Sequence, residues 1–180
     1  MILRTIIWLL RSRRSPQLSV NEVGRIRLRV LPTDIDTLGH INNGMYLSLM
    51  DLGRVDLLVR AGALPVFRKR GWYPVVASET ITFRRSLELW QKYTLETRLI
   101  GVDAKAAYSE QRFVVDGEIY AVGFVKARFL SKRGGTVDIT ELSDAIGYDT
   151  TSVQLPEWVA RWSTDVTLPP ARGTAISDWA

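Results

Sequence analysis

Along the run RIRLRV, Arg25 to Val30, polar and apolar residues alternate strictly, with Ile26, Leu28 and Val30 on one side, as they do in a half-buried strand. From Asn43 to about Ala61 the spacing changes. Apolar residues cover most of the circumference of a 3.6-residue helix, and only Asp51, Arg54, Asp56 and Arg60 carry charge, which predicts a helix buried on most sides. Gly62 supplies its stop signal. Four strand patterns follow, Tyr73 to Arg84, Tyr93 to Val102, Ala106 to Val115 and Glu118 to Leu130, and Asp116-Gly117 predicts a tight hairpin that needs positive φ. One face of the last strand reads Ile119, Ala121, Gly123, Val125, Ala127 and Phe129, and its small central residues let a helix lie close against the sheet. The predicted class is α+β, an antiparallel sheet curved around one long helix.

The flanks carry weaker patterns. MILRTIIWLLRSRRS has an apolar run followed by Arg11, Arg13 and Arg14. Its ten or so apolar positions make only ~15 Å of helix against a ~30 Å hydrocarbon core, so it does not span a bilayer. A secretory signal would place its charges first and a small-residue cleavage site last, and neither is present. A surface helix remains, which either lies in a membrane interface with its arginines on anionic headgroups or docks on its own domain or a partner subunit. RSPQLSVNEVG reads as a linker, SKRGG (Ser131 to Gly135) ends the last strand, and PEWVARW predicts a short helix started by Pro156, with Trp158 and Trp162 as packing anchors. The organisation expected is an amphipathic segment and linker at 1–20, the main domain at 21–135, and an extension packing on it at 136–180, irregular at its end.

Composition narrows the chemistry. The 180 residues include no cysteine and one histidine, which excludes disulfides, a thiol nucleophile and a thiolate metal site and argues against a histidine-rich zinc centre. A cytoplasmic protein is expected, peripheral at the inner membrane face if the first helix meets lipid. The net charge of +5 is uneven: residues 1–30 hold seven arginines and the single acid Glu22, leaving −1 for the remainder. The body therefore offers no wide basic face, and no nucleic-acid partner is expected.

Candidate chemistry concentrates in TDIDTLGHINNGMY, Thr33 to Tyr46, on the loop between the first strand and the buried helix. Helix starts leave N–H groups unpaired and carry partial positive charge, so this loop suits an anion or a developing oxyanion. The alternative is that Asp34, Asp36, Asn42 and Asn43 only turn the chain and cap the helix.

The order strand, D-x-D-x-x-G-H-x-N-N-x-x-Y, buried helix and four antiparallel strands, over roughly Arg25 to Leu130, resembles the hotdog-fold acyl thioesterases, especially the 4-hydroxybenzoyl-CoA thioesterase-like group. The resemblance implies that Asp36 is the nucleophile or general base, that Asp34 shapes the loop, and that the Asn43 main-chain N–H polarises the thioester carbonyl. DIDTLGHINNGMY is also similar to the segment of plant acyl-carrier-protein thioesterases in which Asp, Asn and His cooperate. Asp36 and His40 match, but Leu38 stands where those enzymes have asparagine. The hydratase pattern D-x-N-P-x-H is not met.

With that resemblance in hand, the other residues acquire candidate roles. His40 orients water or contacts the carbonyl, or is a hydrogen-bonded structural residue. Asn42 positions substrate or braces the loop, and Tyr46 meets substrate or packs in the core. Arg84 with Arg85, and Lys132 with Arg133, suit coenzyme A phosphates unless they are simply solvated. An acyl pocket is expected between helix and sheet, lined by residues such as Met50. Coenzyme A enters only as part of the substrate, with no cofactor and no metal. The resemblance further implies a homodimer or homotetramer that pairs through a strand edge. A non-catalytic acyl-binding or membrane-associated module is the alternative function.

Overall fold

The computed structural model describes residues 2–169 and residue 175. The predicted alternation becomes β1 (Gly24–Arg29), whose residues are buried and exposed in turn. The long apolar segment becomes α2 (Asn43–Arg60) and ends at Gly62 in the left-handed conformation. The four later patterns become β2 (Trp72–Phe83), β3 (Lys92–Val102), β4 (Ala107–Val115) and β5 (Glu118–Ser131). Their antiparallel order, β1-β3-β4-β5-β2, leaves β1 and β2 at the edges. Asp116 and Gly117 both adopt positive φ at the β4–β5 hairpin.

The sheet wraps α2 as the small residues predict. A Cβ placed on Gly123 would lie 2.6 Å from Met50 Cε, so a larger residue there would force the Met50 side chain to move, and glycine lets it pack directly on β5. Tyr46, Leu49, Met50 and Leu52 are fully buried against Leu95, Phe113 and Val125. This is the hotdog arrangement, an α+β fold with one helix in the curve of an antiparallel sheet. Met50 fills the space that was expected to be an acyl pocket, and an opening occurs farther along the helix.

Two helices escaped the sequence pattern: α3 (Ala63–Arg70) and α4 (Ile139–Ile146). Phe67 and Leu142, one from each, share a second apolar cluster with Trp72 and Phe129. PEWVARW forms α5 (Glu157–Asp165), which packs beside Tyr108 and Phe124. Its fully buried residue is Val159, flanked by Trp158 edge-on to Phe124 and by Trp162. The expected irregular end falls largely outside the described residues.

The amino-terminal segment is a helix, α1 (Ile2–Ser12), and it docks on its own domain. Ser12 Oγ donates to Asp56 Oδ1 at 2.6 Å, Arg4 pairs with Asp34, and Trp8 packs against the main core. Among the described residues no helix is long and apolar enough to cross a membrane.

Candidate active site

The loop that carries the polar cluster is built in two halves. In the first, Pro32–Asp34 makes a 3-10 turn. Asp34 is 1% exposed and organises everything around it. Its carboxylate takes two bonds from Arg4 Nη1, at 3.0 and 2.8 Å, and one from Leu31 N–H at 3.0 Å. Its main-chain oxygen accepts Asn42 N–H at 2.8 Å, which ties the turn directly to the helix start. Arg4 Nη2 also donates to Arg29 O at 3.0 Å, so α1, the end of β1 and the loop are held by one guanidinium. Next to it, burial pushes the Tyr93 hydroxyl well above its ordinary pKa, opposed by the positive charge of Arg4. The loop-shaping role expected of Asp34 is what the geometry delivers, with an arginine partner the sequence did not suggest.

The second half, Asp36 to His40, is a surface turn. Asp36 is half-buried, and its Oδ1 accepts Leu38 N–H at 2.9 Å in an Asx turn. Asp36 N–H donates to His40 O at 2.9 Å and Gly39 N–H to Asp36 O at 3.1 Å, so Asp36 and His40 are joined through the main chain. His40 is exposed and bridges to Glu88 in the β2–β3 connection. Leu38, at the tip, is 77% exposed.

Asn42 caps α2, its Oδ1 accepting Gly44 N–H at 2.8 Å, which is the bracing role. Asn43 is the first helical residue, and its N–H has no carbonyl one turn back to bond. The loop thus sets a half-buried carboxylate and a helix-start donor in one surface segment. Such a pair can activate water and stabilise charge on a carbonyl oxygen.

The other candidates separate. Tyr46 is a core residue at 1% exposure, edge-on to Phe83 and Phe113, with its hydroxyl accepting Leu87 N–H at 3.2 Å. A role in contacting substrate is corrected to core packing, because a side chain this enclosed has no free face. Arg84 and Arg85 follow β2 at the end near the start of α2, where Phe83 touches Tyr46, and both pair with Glu118. Those two arginines hold the Glu118 carboxyl below its usual pKa, led by the Arg84 hydrogen bond. Lys132 and Arg133 lie at the opposite end of the β2–β5 pair, since Trp72 faces Ser131 and Phe83 faces Ala121. Eleven strand steps put about 36 Å between these ends, so the two basic pairs cannot hold one phosphate group together.

An apolar cavity of about 170 Å3 opens between α2 and the β2 side of the sheet, with Val55, Leu58, Val76, Ala127 and Phe129 in its wall. It begins at Asp51, about 12 Å along the helix from Asn43. Its polar border is an ion pair of Asp51 with Arg54, and Arg54 Nη1 donates to Gln111 Oε1 at 2.7 Å. Gln111 is fully buried and its Nε2 donates to Met50 O and Thr97 Oγ1. Sequence reasoning did not single these residues out. A lone glutamine in a strand has no distinguishing spacing, and only the packed helix shows what it meets.

The sequence profile of the thioesterase-like superfamily matches residues 30–163. Protein THEM6 of Xenopus laevis is 40% identical over 104 residues, which are 58% of this chain and 48% of that protein. Protein THEM6 of Danio rerio is 37% identical over 117 residues, 63% of this chain and 56% of that protein. The chain therefore matches about half the length of these curated relatives. Among solved structures, YbaW of Escherichia coli, titled a probable thioesterase, superposes with a TM-score of 0.64 at 20% identity, covering 68% of this chain and 95% of that one. These likenesses bear out the hotdog fold.

Proposed function

The chain belongs to the thioesterase-like superfamily, and from that premise we propose that it hydrolyses the thioester of an acyl-CoA or acyl-carrier protein to free acid and thiol. The observation that carries this reading is the pairing of the half-buried Asp36 carboxylate with the unbonded Asn43 N–H on one loop. Asp36 Oδ1 is fixed by Leu38 N–H, which orients the carboxylate and leaves Oδ2 for a water proton. Water adds to the thioester carbon as Asp36 takes its proton. The resulting oxyanion is stabilised by Asn43 N–H and the positive end of α2, and collapse expels the thiolate, which takes up a proton. In the nucleophilic variant the carboxylate adds to the thioester carbon and expels the thiolate, which takes up a proton, and water then cleaves the resulting anhydride to the free acid and the restored carboxylate.

The remaining assignments follow from position. His40, exposed on the same turn, orients the water. Arg84 and Arg85 are the basic pair at this end of the sheet and meet the phosphates of coenzyme A in exchange for Glu118; Lys132 and Arg133 take no part in that contact. The acyl group occupies the cavity between α2 and β2. Edge strand β2 leaves Tyr73 exposed on one face of the sheet and Val76 and Phe83 on the other, and a second copy would cover this edge by pairing edge to edge. A homodimer built this way also closes the cavity, which β2 borders.

The test is release of free thiol from a panel of short, aromatic and long acyl-CoAs by the parent chain and by Asp36→Ala. Turnover of at least one substrate that is lost in the variant supports the proposal. Absence of turnover across the panel, with acyl-CoA still bound, would favour a non-catalytic acyl-binding module, for which the apolar Leu38 at the turn tip speaks. Light scattering that finds only the 20.4 kDa monomer would remove the dimer.

A further inference from the structure

Helix α1 faces its domain with the wrong side. The residues turned inward are Arg4, Trp8 and Ser12, spaced one turn apart and bonded to or packed on the body of the protein. Leu3, Ile6, Ile7 and Leu10 occupy the opposite side at helical spacing, and they are 71%, 49%, 42% and 52% exposed. An amphipathic helix that packs only on its own core buries its apolar stripe; here that stripe points out and a guanidinium points in.

Beside the helix, around the β1 edge, runs an open groove of about 490 Å3 whose lining includes Trp8, Arg11, Arg27, Arg29 and Lys92, with Asp116 as its acidic residue against these four basic side chains. Arg29 and Lys92 are register partners across β1 and β3, so like charges stand directly opposite each other. Among the described residues Arg11, Arg13, Arg14, Arg27, Arg29 and Lys92 have no acidic partner, whereas Arg4, on the same groove, is neutralised by Asp34. Arg11 is held over the Trp8 ring, 5.4 Å from its centroid, at the border between stripe and groove.

We propose that α1 and the groove beside it form a docking surface for an anionic phospholipid bilayer. The apolar stripe enters the headgroup and acyl boundary, and the groove receives lipid phosphates. Charge decides the occupant. A second copy seated on this face would bring two unpaired arginine clusters together, which repels, while an anionic bilayer offers both an apolar layer for the stripe and negative charge for the rim. A soluble polyanion would satisfy the groove and leave the stripe in water. The surface touches the Asp34 anchor through Arg4 but includes no residue of the Asp36 turn, and vesicle binding is read without turnover, so this inference stands or falls independently of the proposed hydrolysis.

Co-sedimentation of the full chain with phosphatidylcholine vesicles, with and without phosphatidylserine, tests it. Binding is expected to the mixed vesicles, weakly to the neutral ones, and to decline as salt rises. Leu3→Glu/Ile7→Glu and Arg27→Glu/Arg29→Glu should each lower partitioning by roughly tenfold or more. Circular dichroism confirms folding, and Arg11→Glu/Lys92→Glu reads the same groove if the strand pair misfolds. Absence of binding, equal binding to both vesicles, or insensitivity to the apolar pair would overturn the proposal, the last by pointing to a soluble polyanion. It is equally overturned if light scattering shows an oligomer that Leu3→Glu/Ile7→Glu dissociates.

Discussion

Two halves of one short loop have opposite fates. The half around Asp34 is sealed and tied to α1, β1 and the start of α2, while the half around Asp36 lies on the surface, held by bonds within its own turn. Two aspartates separated by a single residue thus do different work. The anchored carboxylate spends its acceptor capacity on Arg4 and Leu31 and has none left for chemistry. Its neighbour keeps an oxygen in reserve. The lesson is that rigidity and reactivity are supplied by different members of the same motif, the first setting the position from which the second can act.

Removing the anchor should produce the largest loss of stability. Asp34→Ala leaves Arg4 without its partner and should cost about 3 kcal/mol, the lower end for a broken buried pair because the Arg4 side chain keeps 16% exposure. Denaturant unfolding measures this, and a cost below ~1 kcal/mol would erase the contrast between the halves.

A buried polar cluster elsewhere gives a yardstick for groups held as Asp34 is. Tyr108 bonds Asp103 at 2.5 Å and Ser163 at 2.7 Å, and burial first, then the Asp103 bond, push its hydroxyl up to about 12. Tyr108→Phe should cost about 2 kcal/mol at neutral pH. The folded pKa is raised, so the contribution is complete below the ordinary tyrosine value near 10 and is lost as pH rises toward 12. The stability gap between parent and variant should therefore narrow across that window; a gap that widens would contradict it.

Smaller effects probe the junction and the open half. Asn42→Ala removes the α2 cap and should cost about 1 kcal/mol in thermal unfolding. Leu38→Asn at the exposed tip should change stability by less than ~0.5 kcal/mol. A larger loss there would mean that the second half is tied down too.

Much of this fold is legible before any coordinates. The strand and helix patterns mark β1 to β5 and α2 to within a residue or two, because β1, β3, β4, β5 and α2 each bury a face that periodicity reports, while β2, an edge strand with only Trp72 buried, is marked by its β-branched and aromatic residues. Helix α3 begins directly after the Gly62 stop and carries Pro65, which reads as a breaker but is tolerated in a first turn. For α4 the signals were present and unused: Asp138 caps Thr140 N–H, Glu141 follows three residues later, and Gly147 closes the helix in the left-handed conformation. The loop and its helix start could be located from sequence, but the Arg4–Asp34 pair joins residues 30 apart and has no local signature. Tyr46, similarly, faces a strand that only folding brings to it.

The division of labour is tested most directly by Asp36→Asn, measured at once for thiol release from an acyl-CoA that the parent hydrolyses and for unfolding free energy. We expect the rate to fall by about 10²–10⁴-fold while stability stays within ~0.5 kcal/mol of the parent. A rate close to the parent's would contradict the account, because the open half of the loop would then hold no catalyst.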